Sequence, residues 1–252
     1  MDKDLSTQVE IFNTEARIAG SEVVFSKLPR KVDRILRLEQ LILSTSNIDS
    51  PFRSRSDGTD TTVYPPPLDF SEEPSKKRKT SIANSTHNES SRNLQSDIQY
   101  ARFPNLVLEN KHVKSVQSII KAECEELISY IDTVNLWVSS VVPKIEDGDN
   151  FGVGVLLEIM GELQRAQECA YNLRDKGLMN HLGRAKICSK LIKYPFIEDY
   201  TSALKEYDDK QIYLARQSLY DLRSLYATLT DITQKNIAKI HAPRSNNGSG
   251  LY

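Results

Sequence analysis

Cysteine is scarce in this 252-residue sequence: Cys124, Cys169 and Cys188 are an odd number with no C-x-x-C pair among them. That argues against a disulfide scaffold and for reduced thiols in a cytosolic or nuclear protein. Long apolar runs are also missing. No stretch approaches the roughly 20 residues that span a bilayer, so no membrane partner is expected. The opening MDKDLSTQVE lacks a basic-then-apolar signal pattern. Without such a signal, the N-x-S/T sequons at Asn84, Asn88 and Asn247 read as chance matches in Ser/Asn-rich loops. Neither sign of charge dominates: the formal net charge is −1, which gives no basic field for nucleic acid.

Catalytic and metal-ligand patterns are equally thin. The four histidines include one Glu-x-x-His, Glu109 with His112, at a predicted helix start. A di-metal carboxylate bundle needs two such motifs and two more glutamates, so no metal is expected. The remaining His87, His181 and His241 are scattered. GVGV at 152–155 lacks the third glycine and the preceding strand of a phosphate loop, and no G-x-S-x-G occurs. The adjacent Asp208 and Asp209 point about 100° apart on a helix and read as a solvated face. No enzyme and no cofactor is expected.

Long helical periods fill most of the chain. Leu5, Val9, Phe12, Ala16, Ala19 and Val23 lie at steps of four and three, one face of a helix. The pattern resumes after Pro29 at Val32, Ile35 and Leu38, which predicts one helix over 1–45 with a kink near the proline. Residues 46–104 are rich in Ser, Thr, Asn, Asp and Pro, with YPPPLDF at 64–70, and keep no period. This stretch reads as a largely disordered linker with a short polyproline segment. Its compact basic run, Lys76, Lys77, Arg78 and Lys79, reads as an importin-recognised nuclear address rather than only a solubilising charge cluster.

Order resumes at Asn110, a predicted N-cap. Val113, Val116, Ile120, Cys124, Leu127, Ile131, Val134, Val138 and Val141 then recur every three or four residues. That is the seam of a helix roughly 55 Å long, packed lengthwise on others. Ile119 and Trp137 form a second stripe that either faces a neighbouring subunit or, for Trp137, is core. A third helix runs from about Leu156 to Lys193, where Tyr194–Pro195 breaks it. A fourth runs from about Ile197 to His241, and the tail 243–252 is polar until its last two residues. The expected fold is all-α, with the first helix at 1–45 and the other three in 105–242, as a four-helix bundle of long helices.

One turn does not fit a plain reversal: KIEDGDNFGV, residues 144–153. Pro143 limits the preceding helix, Gly148 can take a positive φ, and Asp149 or Asn150 can cap the next helix. Glu146 and Asp147 offer acceptors, and Phe151 is expected to anchor the turn inward. WVSSVVPKIEDGDNFGV resembles the signature of the REG (eleven-S) family of proteasome activators, whose loop usually reads IEDGNNFGV. The resemblance continues through RAKICSKLIKYPFIEDY at 184–200 and KNIAKIHAPRSNNGSGLY at 235–252. It covers 105–252 well and the first helix loosely. The basic run and the Leu251–Tyr252 ending are most similar to the gamma-type, nuclear members.

The resemblance implies a homo-heptameric ring of bundles that caps the proteasome core particle and opens its α-ring gate without ATP. Lys144, Glu146, Asp147, Gly148, Asp149, Asn150, Phe151 and Gly152 then form the activation loop, and Leu251 and Tyr252 the docking tail. Lys186 matches a lysine that in the gamma-type faces the channel, although a solvated helix face reads equally well from its position. Asp149 stands where the family typically has Asn. The other class open to such a chain is a coiled-coil scaffold tethering nuclear partners. The expected location is the nucleus, with the cytoplasm also open.

Overall fold

The computed structural model describes residues 3–43, 58–66, 104–143 and 150–244. In chain order they form α1 (Lys3–Glu22), a π-helical turn (Val23–Lys27), α2 (Leu28–Leu43), α3 (Lys111–Val141), α4 (Phe151–Lys193), α5 (Glu198–Lys235) and the short α6 (Ile237–His241). Among the described residues, extended pairing is limited to one isolated antiparallel bridge between Tyr64 and Leu106. These residues fall into two compact units. One takes its residues from Met1–Ser54, His112–Met179 and Gln211–Tyr252, the other from Arg55–Lys111 and Asn180–Lys210.

In the first unit, four helical stretches enclose an apolar core. The α3 positions expected from the sequence, Val113 through Val138, are all buried, and they meet Leu156, Ile159, Leu163 and Leu173 of α4. Ala215, Leu219, Leu222, Tyr226 and Leu229 of α5 complete the same cluster. Trp137 belongs to it and is fully buried, so of the two readings of that side chain the structure selects core; Ile119 packs partly buried against the cluster.

The first helix departs from expectation in two ways. Its interruption is a π turn rather than a simple kink. Pro29 offers no N–H, and the Leu28 N–H reaches back to Val23 O, skipping Val24 O. The skipped carbonyl accepts a hydrogen bond from Gln234 Nε2 at 3.2 Å. Second, the apolar face is buried only in part: Ala16, Val23 and Val24 are buried, whereas Leu5, Val9 and Phe12 are each about half exposed in the single chain. The fourth helix also differs. It breaks at Asn236, whose Nδ2 donates to Ile232 O at 2.9 Å before α6 begins.

Two buried polar clusters accompany the packing. In the first unit, Glu123 is almost wholly buried and takes Lys31 Nζ at 2.9 Å and Arg34 at 2.8 Å. Lys31 also pairs with Glu126, and Tyr130 donates to the same residue. Burial opposes ionisation of Glu126, but the Lys31 and Tyr130 hydrogen bonds outweigh it and hold the carboxyl below its ordinary range.

In the second unit, Asp208 is 1% exposed. It faces Arg184 Nε at 3.0 Å, Asn110 Nδ2 at 2.9 Å and Thr59 Oγ1 at 2.9 Å. The expectation that Asp208 and Asp209 share a solvated face therefore fails for Asp208 and holds for the exposed Asp209. A buried carboxylate needs partners, and here three donors converge on it. Through Thr59 and Asn110 the cluster holds segments 58–66 and 104–110, which the Tyr64–Leu106 bridge joins through hydrogen bonds of 2.8 and 3.0 Å. Part of the stretch read as linker is thus bound into the second unit.

Candidate functional site: the loop exit and the tail root

The end of α3 is built by a tapering helix. Val142 N–H reaches Ser139 O at 3.4 Å, Ser140 Oγ donates to Trp137 O at 2.7 Å, and Pro143 follows. Lys144, Glu146, Asp147, Gly148 and Asp149 lie outside the described residues, as do Leu251, Tyr252 and the basic run Lys76, Lys77, Arg78 and Lys79. Asn150 opens α4 as its N-cap, its carbonyl accepting the Gly154 N–H at 2.9 Å.

Phe151 turns outward. It is 72% exposed in the single chain, which overturns the expectation of an inward anchor. Lys239 Nζ of α6 stands 5.7 Å from the Phe151 ring centroid, a cation–π distance. The inward position belongs instead to Gly152, which is buried. A Cβ built on Gly152 would lie 1.7 Å from the Pro243 carbonyl oxygen and 2.7 Å from its carbonyl carbon. The chain leaving α6 therefore passes directly over the Gly152 backbone. One residue before α6 ends, Ile240 is fully buried, and His241 sits with its ring 5.6 Å from Trp137.

So the exit of the loop (Asn150–Gly152) and the root of the tail (Ala242–Arg244) are neighbours in the first unit. The sequence reading found the loop and the tail ends but not Lys239, His241 or Pro243. No local pattern links Gly152 to a residue so distant in the chain. Lys186, on the α4 portion in the second unit, is exposed, as are Lys190 and Lys193. Its carbonyl accepts Ser189 Oγ at 2.9 Å. Near it, burial pushes the Cys188 thiol above its ordinary pKa, and Arg184 only partly offsets this. Among the described residues there is no group of three or more His, Cys, Asp or Glu placed to hold a metal ion. Nor is any described helix long and apolar enough to cross a membrane.

Together the bundle and this junction define an all-helical protein that presents a loop exit and a tail root at one surface. Residues 106–250 match the family model of the C-terminal part of the proteasome activator PA28. Over 151 residues the chain is 38% identical to proteasome activator complex subunit 3 of Homo sapiens and of Gallus gallus, 60% of this chain and 59% of each relative. Over 147 residues it is 32% identical to proteasome activator 28 of Dictyostelium discoideum, 58% of this chain and 65% of that protein. The match thus spans under two thirds of the length of these curated relatives.

The crystal structure of the 11S subunit of the Plasmodium falciparum proteasome, PA28, superposes with a TM-score of 0.69 at 27% identity, covering 96% of both chains. A chain from the yeast 20S proteasome in complex with the activator PA26 of Trypanosoma brucei shares the fold at a TM-score of 0.52 and 12% identity, over 63% of this chain and 78% of that one. The chain belongs to the proteasome activator PA28 family, whose members are regulators rather than catalysts. The eleven-S, gamma-like resemblance read from the loop and tail is the same family.

Proposed function

We propose that this chain is an ATP-independent activator of the proteasome core particle, not itself an enzyme. It works as a homo-heptameric ring that docks by its carboxyl-terminal tails and opens the α-ring gate through loop 144–152. The observation that carries this reading is the juxtaposition of Gly152 with Pro243, which brings loop exit and tail root to one surface. The half-exposed Leu5, Val9 and Phe12 of α1 support self-assembly, because a contiguous apolar stripe calls for a covering partner. Lys186 faces the ring's channel. Lys76, Lys77, Arg78 and Lys79 are the importin-read address that takes the ring to the nucleus.

The division of labour follows from binding thermodynamics. A single tail binds weakly because ordering it on docking costs entropy. Several tails on one ring reinforce one another, each bound tail raising the effective concentration of the rest. Tail affinity alone shifts no gate, whereas a loop that contacts the open form better does.

The test is fluorogenic-peptide hydrolysis by latent core particles without ATP, with the intact chain and with a chain lacking Tyr252. The intact ring is expected to stimulate hydrolysis, and the truncation to lower apparent affinity by about tenfold or more as seven weakened tails compound. No stimulation from assembled intact protein would put the scaffold reading ahead, whereas stimulation whose half-saturating concentration truncation does not move would remove the docking role of Tyr252. Asp149 keeps a capping acceptor but loses the amide donor of the family's usual Asn. Asp149→Asn is expected to change maximal stimulation by no more than about twofold, the scale of a fraction of one hydrogen bond. A much larger gain in the same assay would mean the native loop is impaired.

A further inference from the structure

The close approach at Gly152 bears on how the tail is aimed. Gly152 lies in the first turn of α4 and has ordinary helical backbone, so conformational freedom does not explain a glycine there. In an open helical position alanine would be the better residue by roughly 0.5–1 kcal/mol. What the position lacks is room: three atoms of the Pro243 backbone lie within 3.1 Å of where a Cβ would stand. A main-chain carbonyl cannot swing aside like a flexible side chain, so any side chain at 152 must lift residues 242–244. Gly154, two residues on, meets nothing within 4 Å and shows that the crowding is local.

From this we propose that Gly152 is the seat of the tail root, a positioning residue that holds Pro243 against the start of α4 and so fixes where the docking tail leaves the bundle. The inference rests on the loop-and-tail reading of the proposed function. The Lys239–Phe151 contact secures the same junction from α6. With the seat filled, eight residues, 245–252, separate the held root from the end of the chain; with the seat lost, the count rises to eleven, 242–252. Effective concentration falls as about the −3/2 power of length, which gives about 1.6-fold per tail. Compounded over the six tails that bind after the first in a heptamer, the apparent affinity drops roughly fifteen-fold. The tail's contacts with the core particle are untouched, so the loss is one of apparent affinity.

The decisive experiment titrates core particles with wild type, Gly152→Ala and Gly154→Ala rings. It reads half-saturating concentration and maximal stimulation separately, after confirming ring mass and helicity. Trp137, the single tryptophan, gives a readout independent of the proteasome, because lifting the root moves His241 from its place 5.6 Å away. Gly152→Ala is expected to alter Trp137 emission and raise the half-saturating concentration by about tenfold or more. Gly154→Ala is expected to do neither.

Unchanged emission, or altered emission with unchanged half-saturation, overturns the seat while leaving the activator reading intact. A wild-type ring that does not stimulate removes the activator reading and the inference with it. Should Gly152→Ala not assemble, Pro243→Gly tests the same idea, since it loosens the root without placing an atom in the seat. It is expected to raise half-saturation in the same direction, and an unchanged value counts against the proposal.

Discussion

Alanine at position 208 is expected to destabilise the unit around it by about 3–5 kcal/mol, the usual penalty for removing one partner of a buried ion pair. Asp208 is the shared acceptor of Arg184, Asn110 and Thr59, and both charged residues are nearly inaccessible. Its loss leaves the Arg184 guanidinium buried, with the Leu108 carbonyl at 2.9 Å and the Cys188 sulfur at 3.8 Å still beside it. Desolvation of that cation is then no longer offset. Because Thr59 and Asn110 use the same carboxylate oxygen, the substitution also releases segments 58–66 and 104–110. Hydrogen exchange on the assembled full chain should show lost protection at the Tyr64 and Leu106 amides, alongside a lowered unfolding midpoint. The paired change Arg184→Met with Asp208→Leu should recover the share due to the unpaired cation, but not the protection at Tyr64 and Leu106, because Thr59 and Asn110 still lose their acceptor. Protected amides and a shift under about 1 kcal/mol for Asp208→Ala would mean that water reaches the pair and screens it.

That cluster marks where the sequence is readable and where it is not. Helical period is a signal about faces, and it located α3, α4 and α5 because their buried residues repeat over many turns. Loop and tail were legible for a different reason, a motif that carries family identity. Period says nothing about partners: Asp208 sits next to Asp209, and the two look alike until Arg184 and Thr59 are brought in from distant parts of the chain. One signal was present and unused. Leu204, Asp208, Ile212, Ala215 and Leu219 form an unbroken three-and-four series, so Asp208 occupies a core position of α5. A carboxylate there demands a buried cation. Phe151 misled for the opposite reason. Its apolar ring suggested an inward anchor, but the inward space at the start of α4 is filled by the Pro243 backbone, which admits only glycine at 152. The π turn was half legible: Pro29 announces a lost hydrogen bond, but the shift of the Leu28 N–H to Val23 O leaves Val24 O to Gln234, an α5 residue that no local pattern points to.

Trp137 is where the largest single loss of packing is expected, and its two smaller replacements should separate packing from polarity. The indole is fully buried, and α1 comes so close to it that a Cβ on Gly20 would lie 2.7 Å from both Cβ and Cε3 of Trp137. With the Gly20 backbone on one side and His241 near the ring, the surroundings cannot collapse into the space that Trp137→Ala would open. A cost of about 3–5 kcal/mol follows from lost burial plus an unfilled cavity. Trp137→Phe keeps most of the apolar ring. It also removes Nε1, which is buried and has no hydrogen-bond partner among the described residues. A desolvated, unpaired N–H is itself unfavourable, so deleting it offsets part of the lost contact, and the phenylalanine variant should cost under about 1.5 kcal/mol. Urea unfolding followed by circular dichroism compares the three proteins on one scale, since the fluorescent reporter is lost in both variants. If phenylalanine proves as damaging as alanine, the indole N–H must be engaged, and the interior beside the tail root is held by a hydrogen bond rather than by fit alone.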